Sequence, residues 1–520
     1  MTAYLEAQGD NLGRRTVIFV NIMSILSIVF IIIGIASALY SALVLKNGTT
    51  FDYIFTAWFW IASVFFGIQS ITYFLSFHRS VTDYTDTIHD SYVPGLRGKV
   101  AVLVPIFNEE EEMVITNLVA IYSNAGEDSD IYVLDDSTRG DSAPIIDLCR
   151  KLGMKYIHRE NRNGYKAGAL NNVLKTLEVP YVAVIDIDQT PAPDFLRETT
   201  AVLAKDPKIG FIQVPQVYSN IDSSILAEIA QAQQFIFYDI LTEGKSVAGT
   251  LFSCGTNVVY NLDALKSVGY FDENNIVEDI ATSVNMAING WTGVYYNKKL
   301  VFGRAPVTMQ GYINQQWRWM YGSLSLMPKI VKKILLSRKF SPKQKLDWFA
   351  TSTWYIFGWF YLIFLLSPIL EIVGIRVLTI NSLLYLLAWL PYTILLMTTF
   401  TLSQVSKKAP LRFVFYNMAA NLLIFPLSIS TSISVLLKKS KPFTTARTGG
   451  NIPLYRFWPQ FTILILLPLA AIYLILQHNT FSYITAFWAF FQFTLLMPVF
   501  WLNKTPRASS MDDPAFKNSM

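Results

Sequence analysis

Three pairs of acids, one arginine and one indole stand in an order that suits displacement at a sugar carbon. Asp135-Asp136 and Asp186-Ile187-Asp188 supply two of the pairs, Glu278-Asp279 the third, and Gln315-Gln316-Trp317-Arg318-Trp319 joins a guanidinium to an indole. Carboxylates serve as metal ligands or as a base, a guanidinium partners phosphate, and an indole offers an apolar face to a sugar ring. The last motif stands directly before a block of hydrophobic segments. The inventory as a whole suits transfer of a sugar from a nucleotide donor at a membrane.

Asp186 and Asp188 alternate at the end of the apolar run Tyr181–Ile185. A divalent ion on a diphosphate needs only one or two protein carboxylates, the rest of its shell being phosphate and water, so Mg2+ or Mn2+ fits these residues. A solvated surface turn yields the same D-x-D; its place after a strand, with a second acidic strand end upstream, favours the metal. The four histidines form no ligand-spaced cluster, which argues against zinc.

The elements that must position these groups begin near Gly98. Lys99–Pro105 is a continuous apolar run followed by the acidic, helix-opening Asn108–Glu112. That pattern predicts a buried parallel strand feeding a helix, and it recurs at Ile131–Leu134 before Asp135-Asp136 and at Tyr181–Ile185 before Asp186. Helices are expected near 142–152 and 166–178. Residues 98–310 therefore read as one nucleotide-binding α/β domain with a mostly parallel sheet, its ligand crevice at the strand carboxyl ends. It holds no G-x-x-x-x-G-K-[ST] and no G-x-G-x-x-G after the first strand, so glycine-rich backbone is not expected to hold the phosphates.

Around this insert the chain is built for lipid. It is 52% hydrophobic and 15% charged, with the two classes segregated along its 520 residues. Six stretches are long enough to cross ~30 Å of hydrocarbon: about 17–45 and 54–77 within an N-terminal region 1–97, and about 348–374, 378–402, 457–476 and 481–502 within 348–502. The first is too long for a signal peptide's apolar core and lacks its cleavage site, and is read as a permanent span. Residues 311–347 read as amphipathic interface helices and 503–520 as a polar, disordered cytoplasmic tail. Basic flanks at Arg14, Arg15, Lys332, Lys333, Arg338, Lys343 and Lys345 put the insert and both termini on the cytoplasmic side of a multi-pass cell-membrane protein; Lys46 and Arg376 are exceptions. The run 411–437 has bases at both ends, Lys407, Lys408 and Arg412 against Lys438, Lys439, Lys441 and Arg447, so it is expected to enter and return or to lie along the interface. The net charge of +5 is accounted for by these flanks and requires no nucleic acid. Cys149 and Cys254 fall in the cytoplasmic part, where no disulfide is expected. Asn47-Gly48-Thr49 fits a glycosylation acceptor on the outer side, and such triplets are frequent by chance.

These residues resemble the membrane-integrated, processive family 2 glycosyltransferases, which include cellulose, hyaluronan and chitin synthases and plant mannan and glucan synthases. The resemblance rests, in order, on Pro105-Ile106-Phe107-Asn108-Glu109, Asp135-Asp136-Ser137, Lys166-Ala167-Gly168-Ala169-Leu170-Asn171, Asp186-Ile187-Asp188, Phe252-Ser253-Cys254-Gly255-Thr256, Val277-Glu278-Asp279 and Gln315-x-x-Arg318-Trp319. It implies a type-A glycosyltransferase fold inserted in an α-helical transmembrane bundle. By the same resemblance Glu109, Asp135 and Asp136 contact the nucleoside, Lys166 the diphosphate side, and Asp188, helped by Asp186, the metal. Asp279 matches the general base, Arg318 the residue that holds the diphosphate, Trp319 the platform under the acceptor sugar, and Cys254 and Gly255, with Gln315, the acceptor side. The family's commonest T-E-D is V-E-D here, which keeps both acids. A gating loop in 438–456 has only a partial counterpart in Phe443-Thr444-Thr445-Ala446-Arg447.

The chemistry agrees. A sugar hydroxyl is a poor nucleophile until a carboxylate takes its proton, and Asp279 is the chosen base, with Glu278 shaping the site. The metal and Arg318 stabilise the leaving diphosphate. Direct displacement inverts the anomeric carbon. The expected function is an inverting, processive transferase that uses a nucleoside-diphosphate sugar, expected to be a UDP-sugar, to elongate a β-linked polysaccharide and pass it through its spans. The alternatives are a non-processive transferase acting on a lipid or lipid-linked acceptor, and a transporter with a degenerate nucleotide-binding domain. Neither the sugar nor the oligomeric state is readable. Trp354, Tyr355, Trp359 and Tyr361 are expected to form an aromatic belt or to pack against lipid rather than to line a sugar path.

Overall fold

The computed structural model describes residues 18–40 apart from 20, 24 and 38, and residues 48–82, 99–138, 141–375, 377, 382–439, 452–478 and 480–502. Phe443, Thr445 and Arg447 of the expected gating loop, Asn47, the basic residues Arg14, Arg15, Lys46, Arg376 and Lys441, and the tail from 503 lie outside the described residues.

Ten strands are described: β1 (Val100–Ile106), β2 (Ser129–Asp135), β3 (Lys155–His158), β4 (Tyr181–Val184), β5 (Thr190–Pro191), β6 (Ile209–Gln213), β7 (Gln216–Tyr218), β8 (Val258–Asn261), β9 (Thr292–Tyr295) and β10 (Val301–Gly303). Seven form one sheet in the order β3-β2-β1-β4-β8-β6-β9, and β5-β10-β7 form a smaller one. Only β8 runs against its neighbours in the large sheet, so the sheet is mostly parallel.

Helix α1 (Thr50–Thr82) precedes the sheet, α2 (Glu111–Ala125) follows β1, and α3 (Tyr165–Leu174) follows β3. Strand β1 shows why its apolar run is continuous. Val100, Val102, Val104 and Ile106 pack with Val114, Leu118 and Ile121 of α2, while Ala101 and Leu103 pack with Ala167, Leu170 and Val173 of α3. Successive side chains alternate faces and both faces are covered, so every position must be apolar. Each such Val or Leu contributes roughly 1.5–3 kcal/mol by leaving water. The register pairs Ile106 with Asp135 and Leu103 with Val184, which brings the carboxyl ends of β1, β2 and β4 to one edge. Strand order reverses there, and the crevice opens at that point.

The remaining helices join the sheet to the apolar part. Helix α4 (Ile225–Phe235) continues through a π-helical segment, Ile236–Thr242, into α5 (Glu243–Ala248); α6 (Glu278–Ile288) and the long α7 (Met309–Leu336) follow. Then come α8 (Pro342–Thr353), α9 (Phe357–Ile372), α10 (Ser382–Ser406), α11 (Arg412–Leu423), α12 (Phe425–Leu436), α13 (Trp458–Leu476) and α14 (Thr480–Leu496). Thr308 caps α7 by accepting from the Gly311 N–H, and Ser341 with Gln344 forms a capping box on α8.

Among the described residues three helical stretches are long and apolar enough to cross a membrane: Thr50–Val81, Pro342–Ile372 and Leu454–Leu476. Residues 411–437, expected to enter and return or to lie along the interface, form α11 and α12, bent by 44°. Pro426 in the first turn of α12 has no N–H with which to continue the α11 ladder, and at the bend the Leu423 carbonyl accepts from the Gln460 amide. Ser428 of α12 donates to the Tyr355 carbonyl and accepts from the Gly358 N–H, tying this segment to α9.

A buried ion pair joins the sheet-bearing part to the apolar one. Lys245 of α5 lies 3.0 Å from Asp347 of α8 with both side chains nearly sealed from solvent, and it also donates to Thr351 while Thr250 donates to Asp347. Removing one partner of such a pair leaves a charge buried without compensation, at a cost of about 3–5 kcal/mol. Asp347→Ala is therefore expected to lower the thermal unfolding temperature of the purified protein more than the double variant Lys245→Met/Asp347→Leu does. Equal losses would show that the pair is not what holds α5 to α8.

Candidate active site

At the donor end, the chain leaves β1 through Asn108 in the left-handed region (φ 57), and the Phe107 N–H reaches the Glu109 carboxylate at 2.5 Å. Burial, and then the nearby charges of Asp186 and Asp188, push the Glu109 carboxyl up to about 7. At the end of β2 the two aspartates part company. Asp135 is 1% exposed, and its oxygens accept from the Ser137 N–H and from the Ser142 and Tyr156 hydroxyls, at 2.8, 3.1 and 2.8 Å respectively. It holds the loop and is not among the residues that line the cavity. Asp136 does line the cavity, gripped by Arg159 through Nε at 2.9 Å and through Nη2. Arg162 stacks its guanidinium 3.7 Å above the Phe107 ring. Arg159 and Arg162 were not singled out from the sequence, because no motif marks residues that meet only across strand ends.

Lys166, at the start of α3, links the D-x-D turn to the Gly255 loop. Its ammonium donates to Asp186 Oδ1 at 2.5 Å and to the Gly255 carbonyl at 2.9 Å. Burial opposes its charge, but Asp186, Glu278 and Asp279 outweigh that cost and raise its pKa. Asp188 accepts from the Gln189 amide through Oδ1. Arg318 of α7 is lowered from its usual value by burial, which the attraction of Asp186 and Asp188 only partly offsets.

Among the described residues no group of three or more His, Cys, Asp or Glu is arranged to hold an ion alone. Two carboxylates at one strand end, with Lys166 on only one oxygen of the first, fit a hard divalent ion that completes its shell with diphosphate and water.

At the acceptor end, Glu278 and Asp279 open helix α6, where the N-terminal dipole favours negative charge. Glu278 is buried and Asp279 half-buried. The Asp279 carboxylate accepts from the Ile280 N–H at 2.8 Å, and the Ser283 hydroxyl donates to its carbonyl. Both carboxyls are raised: Asp279 by burial, against the pull of Ile280 and Lys166, and Glu278 by burial and then by the charge of Asp279. Gly255 approaches closely, and a Cβ built on it would meet Asp279 Oδ2 at 3.0 Å on a backbone of φ +75. Only glycine suits that position. The Cys254 N–H donates to Gln213, a residue no motif marked, and burial pushes the Cys254 thiol up to about 12, disfavouring the thiolate.

Gln315, Arg318 and Trp319 of α7 face the same cavity, of about 2200 Å³. It runs on past them to Tyr355, Tyr361 and Asn421. Trp354, Tyr355 and Tyr361 thus line the cavity, contrary to the belt or lipid packing expected of them: Trp354 and Tyr355 stand on the 3-10 turn that leads into α9, and α9, which carries Tyr361, packs with α1 and α12. Trp359 is not among the lining residues.

Residues 181–403 match the family model described as glycosyl transferase family group 2. Among curated relatives, glucomannan 4-beta-mannosyltransferase 1 of Cyamopsis tetragonoloba is 30% identical over 251 residues, 46% of this chain and 48% of that protein. Cellulose synthase 2 of Novacetimonas hansenii is 27% identical over 277 residues, 52% of this chain and 17% of that protein. The chain spans about half the length of the first curated relatives it matches. A solved structure of the mannosyltransferase PcManGT from Pyrobaculum calidifontis, in complex with GDP-Man and Mn2+, superposes with TM-score 0.53 at 18% identity, covering 74% of this chain and all of that one. That likeness is one of fold, and the fold is the type-A one expected from the sequence.

A carboxylate base must be deprotonated to act, and Asp279, the base expected from the sequence, has its carboxyl raised by burial. The acid limb of kcat is expected above the ordinary aspartate range near ~4, with activity rising as pH increases through it. Asp279→Asn is expected to abolish turnover, a loss on the order of 100-fold or more, while donor binding persists. A limb in the ordinary range, or near-parent turnover in the variant, would assign the base elsewhere.

Proposed function

We propose that this chain is an inverting, processive glycosyltransferase that elongates a β-linked polysaccharide from a nucleoside-diphosphate sugar and passes the product into the apolar helices. The observation that carries the reading is the single cavity connecting Asp186, Asp188, Asp279 and Arg318 to Trp319 and on to Tyr355, Tyr361 and Asn421. Rings and neutral amides suit a sugar chain, which offers apolar faces and hydroxyl rims.

In this reading Asp279 takes the proton of the acceptor hydroxyl, whose oxygen attacks the anomeric carbon from the face opposite the diphosphate. The bond to the diphosphate breaks, and the leaving group departs with the electron pair. Arg318 and Lys166 lie where that negative charge accumulates. Mg2+ or Mn2+, held by Asp188 and Asp186, would supply further neutralisation of the diphosphate. Glu278 keeps Asp279 in a crowded acidic pair, Asp136 with Arg159 presents an acceptor beside donors to the base, and Gln315, Cys254 and Gly255 frame the acceptor. The UDP-sugar expected from the sequence stands beside GDP-mannose as donor, since the Pyrobaculum protein binds GDP-Man and the Cyamopsis relative is a mannosyltransferase. The catalytic domain is assigned to the cytoplasmic side of a multi-pass bundle, with the bent pair α11 and α12 entering and returning.

The test is a panel of nucleotide sugars given to the purified full chain, with nucleoside-diphosphate release and product length both measured. Chelation and Asp188→Ala are both expected to suppress donor-dependent turnover at least about 10-fold, and activity indifferent to chelator would remove the metal from the reading. Trp319→Ala is expected to shorten the products while donor binding persists, with Trp319→Phe retaining part of the length. Single-sugar products from the parent would replace this reading by the non-processive one, and normal polymer from Trp319→Ala would make the indole a membrane anchor.

A further inference from the structure

Glycine in the interior of a 28-residue helix costs helix stability and asks for a packing reason. Gly322 sits one turn after Arg318, on the same ridge as Leu326, Ile330 and Ile334. Those three pack in one core with Ala281 and Val284 of α6, and Val277 packs against that core from the start of the same helix. Ridge meets ridge at Gly322: a Cβ there would stand 2.4 Å from Val277 Cγ1 and 3.4 Å from Val277 Cβ. Val277 is not free to give way. It is β-branched and stiff at χ1, and its carbonyl accepts the Ala281 N–H that starts the helix. The next two residues are Glu278 and Asp279.

The geometry points to Val277 and Gly322 as positioning residues that set the distance between the base on α6 and the guanidinium and indole on α7. Resting on the glycosyltransferase reading above, this contact is the mechanical link between the two halves of the reaction: proton removal at Asp279, and leaving-group stabilisation at Arg318 with acceptor support at Trp319. An added methyl at 322 must push Val277 aside and carry the start of α6 with it. Truncating Val277 opens the space again, because its remaining Cβ stands 3.4 Å from the new one, an ordinary contact.

The experiment is a double-variant cycle on the full chain: parent, Gly322→Ala, Val277→Ala and the pair, each with kcat, donor KM, the acid limb of kcat and thermal unfolding. Gly322→Ala is expected to lose about 10-fold or more in kcat, with donor KM within about threefold and a displaced acid limb, because small misplacements of reacting groups are costly. Val277→Ala is expected to lose less than about threefold, and the pair to return to that level, a coupling that independent sites do not show. Multiplying losses in the pair overturn the proposal, as does Gly322→Ala at the parent's kcat. A loss that follows the folded fraction, with the limb unmoved, assigns Gly322 to stability alone and overturns it too. A parent that transfers no sugar from any nucleotide sugar sinks the glycosyltransferase reading and the proposal with it. An active parent with a non-coupled cycle sinks the proposal only.

Discussion

The candidate site depends on holding acids of like charge together in a half-sealed cavity. Glu109, Asp186, Asp188, Glu278 and Asp279 all line it, and two unit charges 4 Å apart at an effective dielectric of 20 repel by about 4 kcal/mol. Lys166 offsets that repulsion from the centre, bonded to Asp186 and to the Gly255 carbonyl and drawn by Glu278 and Asp279. Arg318 faces Asp186 and Asp188 from the other side. Burial first, and the neighbouring acids after it, leave the carboxyls of Glu109, Glu278 and Asp279 raised above their usual values. A polyanionic donor with a divalent ion is the kind of ligand such a balance of charge receives.

The sheet and helices matter to this balance because they bring distant acids to one edge. β1, β2 and β4 end together by their parallel register, and β8, running the other way between β4 and β6, presents Gly255 and Thr256 at its start beside their ends. Thr256 accepts the Asp186 N–H, so the Cys254–Thr256 loop and the D-x-D turn are stitched directly. Helix α6 then delivers its acids from its N-terminus, and α7 crosses it to deliver Arg318 and Trp319.

Below the site the catalytic domain is joined to apolar helices by charge as well as by packing. Lys245 with Asp347, Lys407 with Glu243 and Arg412 with Glu228 each pair the α4–α5 rod with an element of the helical part. Such pairs specify orientation more than they add stability, since desolvation offsets much of their attraction. The cavity passes along this joint, so the geometry of the joint is also the geometry of the path between the two parts.

Local patterns wrote what was legible in the chain. Apolar runs ending in acids marked β1, β2 and β4; D-x-D, V-E-D and Q-x-x-R-W marked the groups that carry charge; bases flanking 411–437 marked an unusual segment, which the structure bends at Pro426. These signals sit within a few residues of one another, where strand alternation, helix breaking and motif spacing act. Tertiary structure decided what depends on partners far along the chain. Asp135 turned inward to Tyr156 while its neighbour Asp136 met Arg159, Lys166 reached the carbonyl of Gly255, and Tyr355 and Tyr361 faced the cavity instead of lipid. The sequence determined which residue types were available and on which elements. Which of them meet was decided by packing, because contact between residues tens of positions apart is set by how whole sheets and helices close-pack and not by any neighbour in the chain.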